Sequence, residues 1–213
     1  MTVNTNTLLS IKKDLSDFPK SKLLIVSKNR SIDDIRYLLE AGYIYFGENR
    51  VQEALNKFPD KVRMNYQSLN LHLIGPLQSN KANQALKLFD TIQTIDRKKI
   101  VDVISKEMSK NSYLRTREFY LQVNIGLENQ KSGVNPEIAE ELYHYAVKKN
   151  LNIIGLMCIP PVEISSEIYF QKMIVLKNKI NKKLLLSMGM SSDYLIALKN
   201  GSDMVRVGSK IFE

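Results

Sequence analysis

The chain has a single cysteine, Cys158, no tryptophan, and only two histidines, His72 and His144. One cysteine cannot form an intramolecular disulfide, so a reducing cytoplasm is the expected compartment. Two histidines and one cysteine give no recognisable metal-ligand spacing, which argues against a zinc enzyme. No apolar stretch approaches the roughly 18 residues that a membrane span needs, so no membrane partner is expected. The opening MTVNTNTLLSIKKDL also lacks the basic-then-apolar pattern of a signal peptide.

What the chain does have is ordinary globular composition: 213 residues, 44% apolar and 25% charged. That is enough to bury a full core, and one domain over residues 1–213 is expected. The formal charge of +9 raises the question of nucleic acid. Yet the basic residues scatter over presumed helix faces, at Lys98, Lys99, Lys148, Lys149, Lys177, Lys179, Lys182 and Lys183. They do not interleave with aromatics and no nucleic-acid-binding signature appears. Nucleic acid is therefore not an expected partner, whereas small anionic ligands are favoured.

Periodicity yields a repeating unit of strand, then helix. Strands are expected at Leu23–Ser27, Tyr43–Phe46, Leu71–Ile74, Thr91–Thr94, Phe119–Asn124, Asn152–Met157, Leu184–Ser187 and Met204–Val207. Between them lie seven helical segments. Ser31 is the expected N-cap of the first, with Asp33 and Asp34 where the dipole favours them and Ala41-Gly42 at its end. Eight strands at this spacing predict an α/β fold, a single (β/α)8 TIM barrel. No helix is expected after the last strand, and an extra N-terminal helix around Leu8–Leu15 is expected to take its place. A doubly wound open sheet shares the same periodicity.

The small and polar residues then fall at strand C-termini, which in a barrel converge on one mouth. Lys28 ends the apolar run Leu23-Leu24-Ile25-Val26-Ser27. Glu48 and Asn49 follow strand two, Gly75 strand three and Cys158 strand six; Asn124 ends strand five. Gly189 with Ser191 and Ser192, and Gly208-Ser209 one strand later, read together as a phosphate site. Singly, Ser191 or Ser192 could be only a helix cap and Gly208 only a turn. A lysine between apolar strands is expected to lose hydration and so become nucleophilic. An amine beside a phosphate pocket points to Schiff-base chemistry with pyridoxal 5′-phosphate (PLP). Arg206, permanently charged, would oppose protonation of a pyridine nitrogen and give a weak electron sink.

Several segments resemble the pyridoxal-phosphate homeostasis protein family, which shares its fold with the N-terminal barrel of alanine racemase. They are Val26-Ser27-Lys28, Phe46-Gly47-Glu48-Asn49, His72-Leu73-Ile74-Gly75-Pro76-Leu77-Gln78-Ser79-Asn80-Lys81 and Val123-Asn124-Ile125. Lys131-Ser132-Gly133, Leu186-Ser187-Met188-Gly189-Met190-Ser191-Ser192-Asp193 and Val205-Arg206-Val207-Gly208 continue in the same order. The resemblance implies a cofactor linked to Lys28 and Asn49 near its ring. It also implies Ser191, Gly208 and Ser209 on the phosphate and Arg206 facing the pyridine nitrogen. Where the family often has Thr-Lys-Pro after the key lysine, this chain has Asn29-Arg30-Ser31, and an arginine forms no imine. Leu195 stands where an acidic residue is usual.

The implied role is control of free PLP (vitamin B6) inside the cell, with no established catalytic turnover. Implied partners are amino acids as external aldimines and PLP-dependent apoenzymes, and a monomer is expected. The alternative is an amino-acid racemase. Racemisation by two opposed bases needs one on each face of the substrate. In alanine racemase the second is a tyrosine from a further domain; here Tyr45 is the candidate substitute. A third reading is an interaction protein that uses its basic surface.

Overall fold

The structure, a computed structural model, describes residues 3–111, 113–161 and 165–212. Its centre is a closed barrel of eight parallel strands in sequence order. The strands are β1 (Lys22–Val26), β2 (Tyr45–Glu48), β3 (Asn70–Leu73), β4 (Thr91–Ile95), β5 (Glu118–Val123), β6 (Ile153–Cys158), β7 (Leu185–Ser187) and β8 (Met204–Val207). Closure is made by β8 on β1, with Lys22 opposite Met204 and Ile25 opposite Val207. That pairing excludes the open sheet.

Among the described residues the helices are α1 (Thr5–Ser16), α2 (Ile32–Glu40), α3 (Val51–Lys57), α4 (Asp60–Asn65), α5 (Ala82–Leu88), α6 (Lys98–Lys110), α7 (Ala139–Lys148), α8 (Ser166–Ile180) and α9 (Tyr194–Lys199). The outward residues of the strands, such as Ile25, Phe46, Leu73, Ile92, Leu121, Leu156 and Val205, are buried under these helices in one continuous apolar layer. Alternation along a strand sends every second side chain to that layer and the others into the barrel. Ser31 caps α2 as expected, its hydroxyl accepting from the Asp34 amide.

After β8 the described chain makes only a 3-10 turn, Ser209–Ile211. Helix α1 packs beside it, burying Leu8 and Ile11, and the Asn4 amide donates to the Ile211 carbonyl at 2.7 Å. No helix among the described residues is long and apolar enough to cross a membrane.

Most strands differ from the sequence reading by one residue at one or both ends, β2 differs by two, and one helix is new. Strand β2 starts at Tyr45 rather than Tyr43 and runs on through Glu48, because the Tyr43 amide still closes the preceding helix on the Leu38 carbonyl. Helix α4 was not expected at all. Its anchor is polar: Arg63, buried, pairs with Asp90 at 2.8 Å and donates to the Leu88 carbonyl. Apolar periodicity does not register such an element.

Candidate functional site

At the C-terminal ends of the strands lies a cavity of about 460 Å³. The six residues that the family resemblance assigns to the cofactor all line it: Lys28, Asn49, Ser191, Arg206, Gly208 and Ser209. Its volume is in the ordinary range for a small-molecule site, about 300–1,000 Å³. Val26, Ile74, Ile159 and Met190 give it apolar walls, while Asn29, Arg30 and Ser192 complete the polar rim.

Lys28 sits two residues past the end of β1. The Ser27 amide extends the sheet by donating to the Gly47 carbonyl at 3.0 Å, and the Arg30 amide turns back onto the Ser27 carbonyl at 3.1 Å. The turn places Asn29 in the left-handed region, at φ 59°. Lys28 is exposed to the cavity. The dehydration expected of an amine wedged between apolar strands is therefore absent, because the lysine lies beyond the strand rather than within it.

Asn49 is placed by a close backbone approach. A Cβ on Gly75 would stand 2.1 Å from the Asn49 carbonyl oxygen, so only glycine lets the loop after β3 pass so near. The Gly75 carbonyl is fixed in turn by the Thr94 hydroxyl at 2.9 Å.

The loops after β7 and β8 meet where the Gly208 amide approaches Ser191 Oγ at 3.4 Å. Neither serine caps the following helix: the N-cap of α9 is Asp193, whose carboxylate accepts from the Met190 amide at 2.6 Å. Gly189 does not line the cavity. It serves the turn instead, at φ +92°, with a Cβ there 2.4 Å from that of Ala197.

Arg206 forms part of the floor and is buried. Its guanidinium donates to Ser187 Oγ at 2.9 Å and to the Cys158 carbonyl at 2.7 Å. Burial lowers its pKa, and the Asp193 carboxylate opposes that shift. An arginine this strongly basic stays charged regardless. Cys158 itself is fully buried and burial pushes its thiol up to about 12, so it is no nucleophile at neutral pH.

Other residues expected at the mouth do not reach the cavity. Glu48 ends β2 with its carboxylate buried, bonded to Ser27 and Lys57. Asn124 folds its own loop, its amide nitrogen donating to the Glu128 and Lys131 carbonyls. Lys131 ties that loop to the next by donating to the Pro160 carbonyl at 3.1 Å. Tyr45 packs edge-on against His72 with Lys22, the first residue of β1, over its ring. It is absent from the described lining, so it is no counterpart base to Lys28. Arg30 was noted in the sequence only as a departure from a pattern. It lines the rim, stacked on Phe212 and donating to the Phe212 carbonyl.

The donor set suits a phosphorylated aldehyde. It brings together an accessible amine, three hydroxyls, a glycine amide and two guanidinium groups, with no carboxylate in the described lining.

Residues 8–213 match the family described as alanine racemase, N-terminal domain. The chain is 35% identical to the pyridoxal phosphate homeostasis protein of Aquifex aeolicus, over 90% of this chain and 86% of that one. It is 39% identical to the protein of the same name from Haemophilus influenzae, over 90% and 84%. Among solved structures, PipY of Synechococcus elongatus superposes with a TM-score of 0.87 without PLP and 0.86 with PLP bound. It is 32% identical, and the match covers 98% of this chain and 99% of that one. An alanine racemase of Clostridium difficile, 14% identical with a TM-score of 0.72, covers 98% of this chain and 57% of that one and shares the fold. With a barrel of this topology and relatives matched over nine-tenths of its length, the chain belongs to the pyridoxal phosphate homeostasis protein family, within the alanine racemase N-terminal domain fold.

Proposed function

We propose that this protein binds PLP in the mouth cavity, holds it as a Schiff base on Lys28, and thereby controls free PLP in the cytoplasm. The observation that carries this reading is the single cavity joining the Lys28 amine to the hydroxyls and amide of the loops after β7 and β8. When bound, PLP supplies an aldehyde carbon that an amine joins with loss of one water, and a ring that withdraws electrons.

The residues divide the work. Ser191, Ser209 and the Gly208 amide hold the phosphate by charge-assisted hydrogen bonds. Asn49 lies beside the ring. Arg206 faces the pyridine nitrogen and, held by Ser187 and the Cys158 carbonyl, keeps a fixed positive charge there. A positive charge at that place disfavours protonation of the ring and weakens its electron withdrawal. The described lining holds no tyrosine, histidine, cysteine or carboxylate beside Lys28, so two-base racemisation lacks its second base. A carrier needs neither a strong electron sink nor a second base.

The protein then acts as a monomeric reservoir. Amino acids displace Lys28 reversibly, and PLP-dependent apoenzymes receive the cofactor. The test is transfer: PLP-loaded protein is mixed with an apoenzyme that requires PLP, and the return of that enzyme's activity is timed. Full reactivation supports a reservoir; cofactor that never leaves contradicts it.

A further inference from the structure

Lys28 is exposed, yet the residues on both sides of it are tied down by a buried ionic cluster. Ser27 Oγ donates to Glu48 Oε1 at 2.7 Å, and the Ser27 carbonyl accepts from Lys57 Nζ at 2.6 Å. On the other side, the Asn29 amide donates to Glu53 Oε1 at 2.5 Å. Lys57 Nζ closes the circle, 3.1 Å from Glu48 Oε1 and 2.5 Å from Glu53 Oε1. Glu48 is 0% exposed and Lys57 7%.

We propose that Glu48, Lys57 and Glu53 are positioning residues that fix the backbone on either side of Lys28 so that its amine projects into the cavity. The proposal rests on the reading of Lys28 as the cofactor lysine. Stability alone does not account for the cluster, since a buried ion pair is often replaced by apolar residues at no loss. Its bonds instead converge on the two residues flanking Lys28. One of them, Asn29, has a left-handed backbone, which asparagine adopts more readily than other non-glycine residues, and its amide is tied in that turn by Glu53. Three separate elements supply the parts: the end of β1, the end of β2 and the helix α3 that follows it.

The cluster's electrostatics agree with a single locked arrangement. Burial raises the Glu48 carboxyl above its usual value, opposed by the Ser27 hydrogen bond and Lys57. Burial also pushes Glu53 up, but hydrogen bonds from Lys57 and the Asn29 amide outweigh it and hold Glu53 below its usual value. With Lys57 between them, both carboxylates face one ammonium.

Positioning is separable from stability by the variants Glu48→Gln, Lys57→Met and the two combined. Three quantities are read: the urea midpoint, the rate at which added PLP becomes trapped on the protein by borohydride, and PLP affinity with the same substitutions on a Lys28→Ala background. Lys57→Met alone should lower the midpoint, because it leaves Glu48 buried and unpaired. The double variant should recover most of that midpoint yet still trap PLP about ten- to a hundredfold more slowly, the scale of a misplaced reacting group. Affinity on the Lys28→Ala background should stay unchanged. Glu53→Gln, at a half-buried site, should slow trapping in the same direction and decides the matter if the buried variants do not fold. A double variant of native stability that traps PLP at the native rate overturns the clamp. So does slow trapping that merely follows weaker affinity on the Lys28→Ala background. Native protein that traps no PLP on Lys28 would instead overturn the cofactor reading itself.

Discussion

The Arg206 guanidinium on β8 donates to Ser187 Oγ on β7 at 2.9 Å, and that bond begins a string of polar contacts through the barrel interior. Ser187 Oγ donates to Gln93 Oε1 at 2.7 Å, so the other end of the Gln93 amide, Nε2, donates to His72 Nδ1 at 2.8 Å. Barrels of this kind usually fill their interior with layers of bulky aliphatic side chains. Here one string, anchored on a permanent charge, crosses from β8 to β3 and holds the floor of the cavity in place.

Ser187→Ala should remove a buried hydrogen bond to a charged group and leave Gln93 Oε1 without its donor. A loss of about 1.5–3 kcal/mol is expected, the usual range for bonds to charged groups. Urea denaturation measures it, and an unchanged midpoint would show that the string contributes nothing to the fold.

His72 gives the string a pH signature. Burial, helped by the nearby Lys22 charge, lowers its pKa from 6.5 to about 3. Between those values the unfolded chain binds a proton that the folded chain does not, so this contribution to stability is complete above pH 6.5 and is lost as pH falls towards 3. The slope is at most about 1.4 kcal/mol per pH unit. His72→Gln should flatten that part of the stability profile, measured by urea midpoints across the acid range.

The barrel was legible because its signals are local. Apolar runs bounded by polar loops recur, and Ser31 or Asp33 needs only its own helix to be read. The six cavity residues were legible because every strand of a parallel barrel points its C-terminus to the same mouth. What stayed hidden depends on partners far apart in the chain. Gln93 and Ser187 are polar residues in strands, 94 positions apart, and nothing near either shows that they meet. Glu48 was expected at the mouth because β2 was read two residues too early, and its bond to Ser27 spans 21 positions. Asn29 and Arg30 offered a signal that could have been followed: they directly follow Lys28, on the same turn.

The phosphate cup predicts a graded loss. Ser191→Ala removes one hydroxyl that lines the cavity beside the Gly208 amide. PLP affinity should fall about tenfold or more, since a charge-assisted bond exceeds the 1.4 kcal/mol that corresponds to a factor of ten. Pyridoxal without its phosphate should also bind more weakly. Titration by absorbance measures both, and equal affinity for the native and Ser191→Ala proteins would move the phosphate elsewhere.

Turnover should be absent. Single amino-acid enantiomers incubated with the PLP-loaded protein in deuterated water should show no inversion at an enzymatic rate, by chiral analysis and by the α-proton signal. Sustained, saturable inversion that disappears in Lys28→Ala would establish a racemase instead.

The most direct measurement is the site of covalent attachment. PLP-loaded protein is reduced with borohydride, digested, and its peptides are mapped by mass, beside absorbance spectra of the native and Lys28→Ala proteins. The adduct is expected on the peptide containing Lys28, with the visible band of the bound cofactor present in the native protein and lost in Lys28→Ala. A full band in Lys28→Ala, or an adduct mapped to another lysine of the native protein, would contradict the assignment.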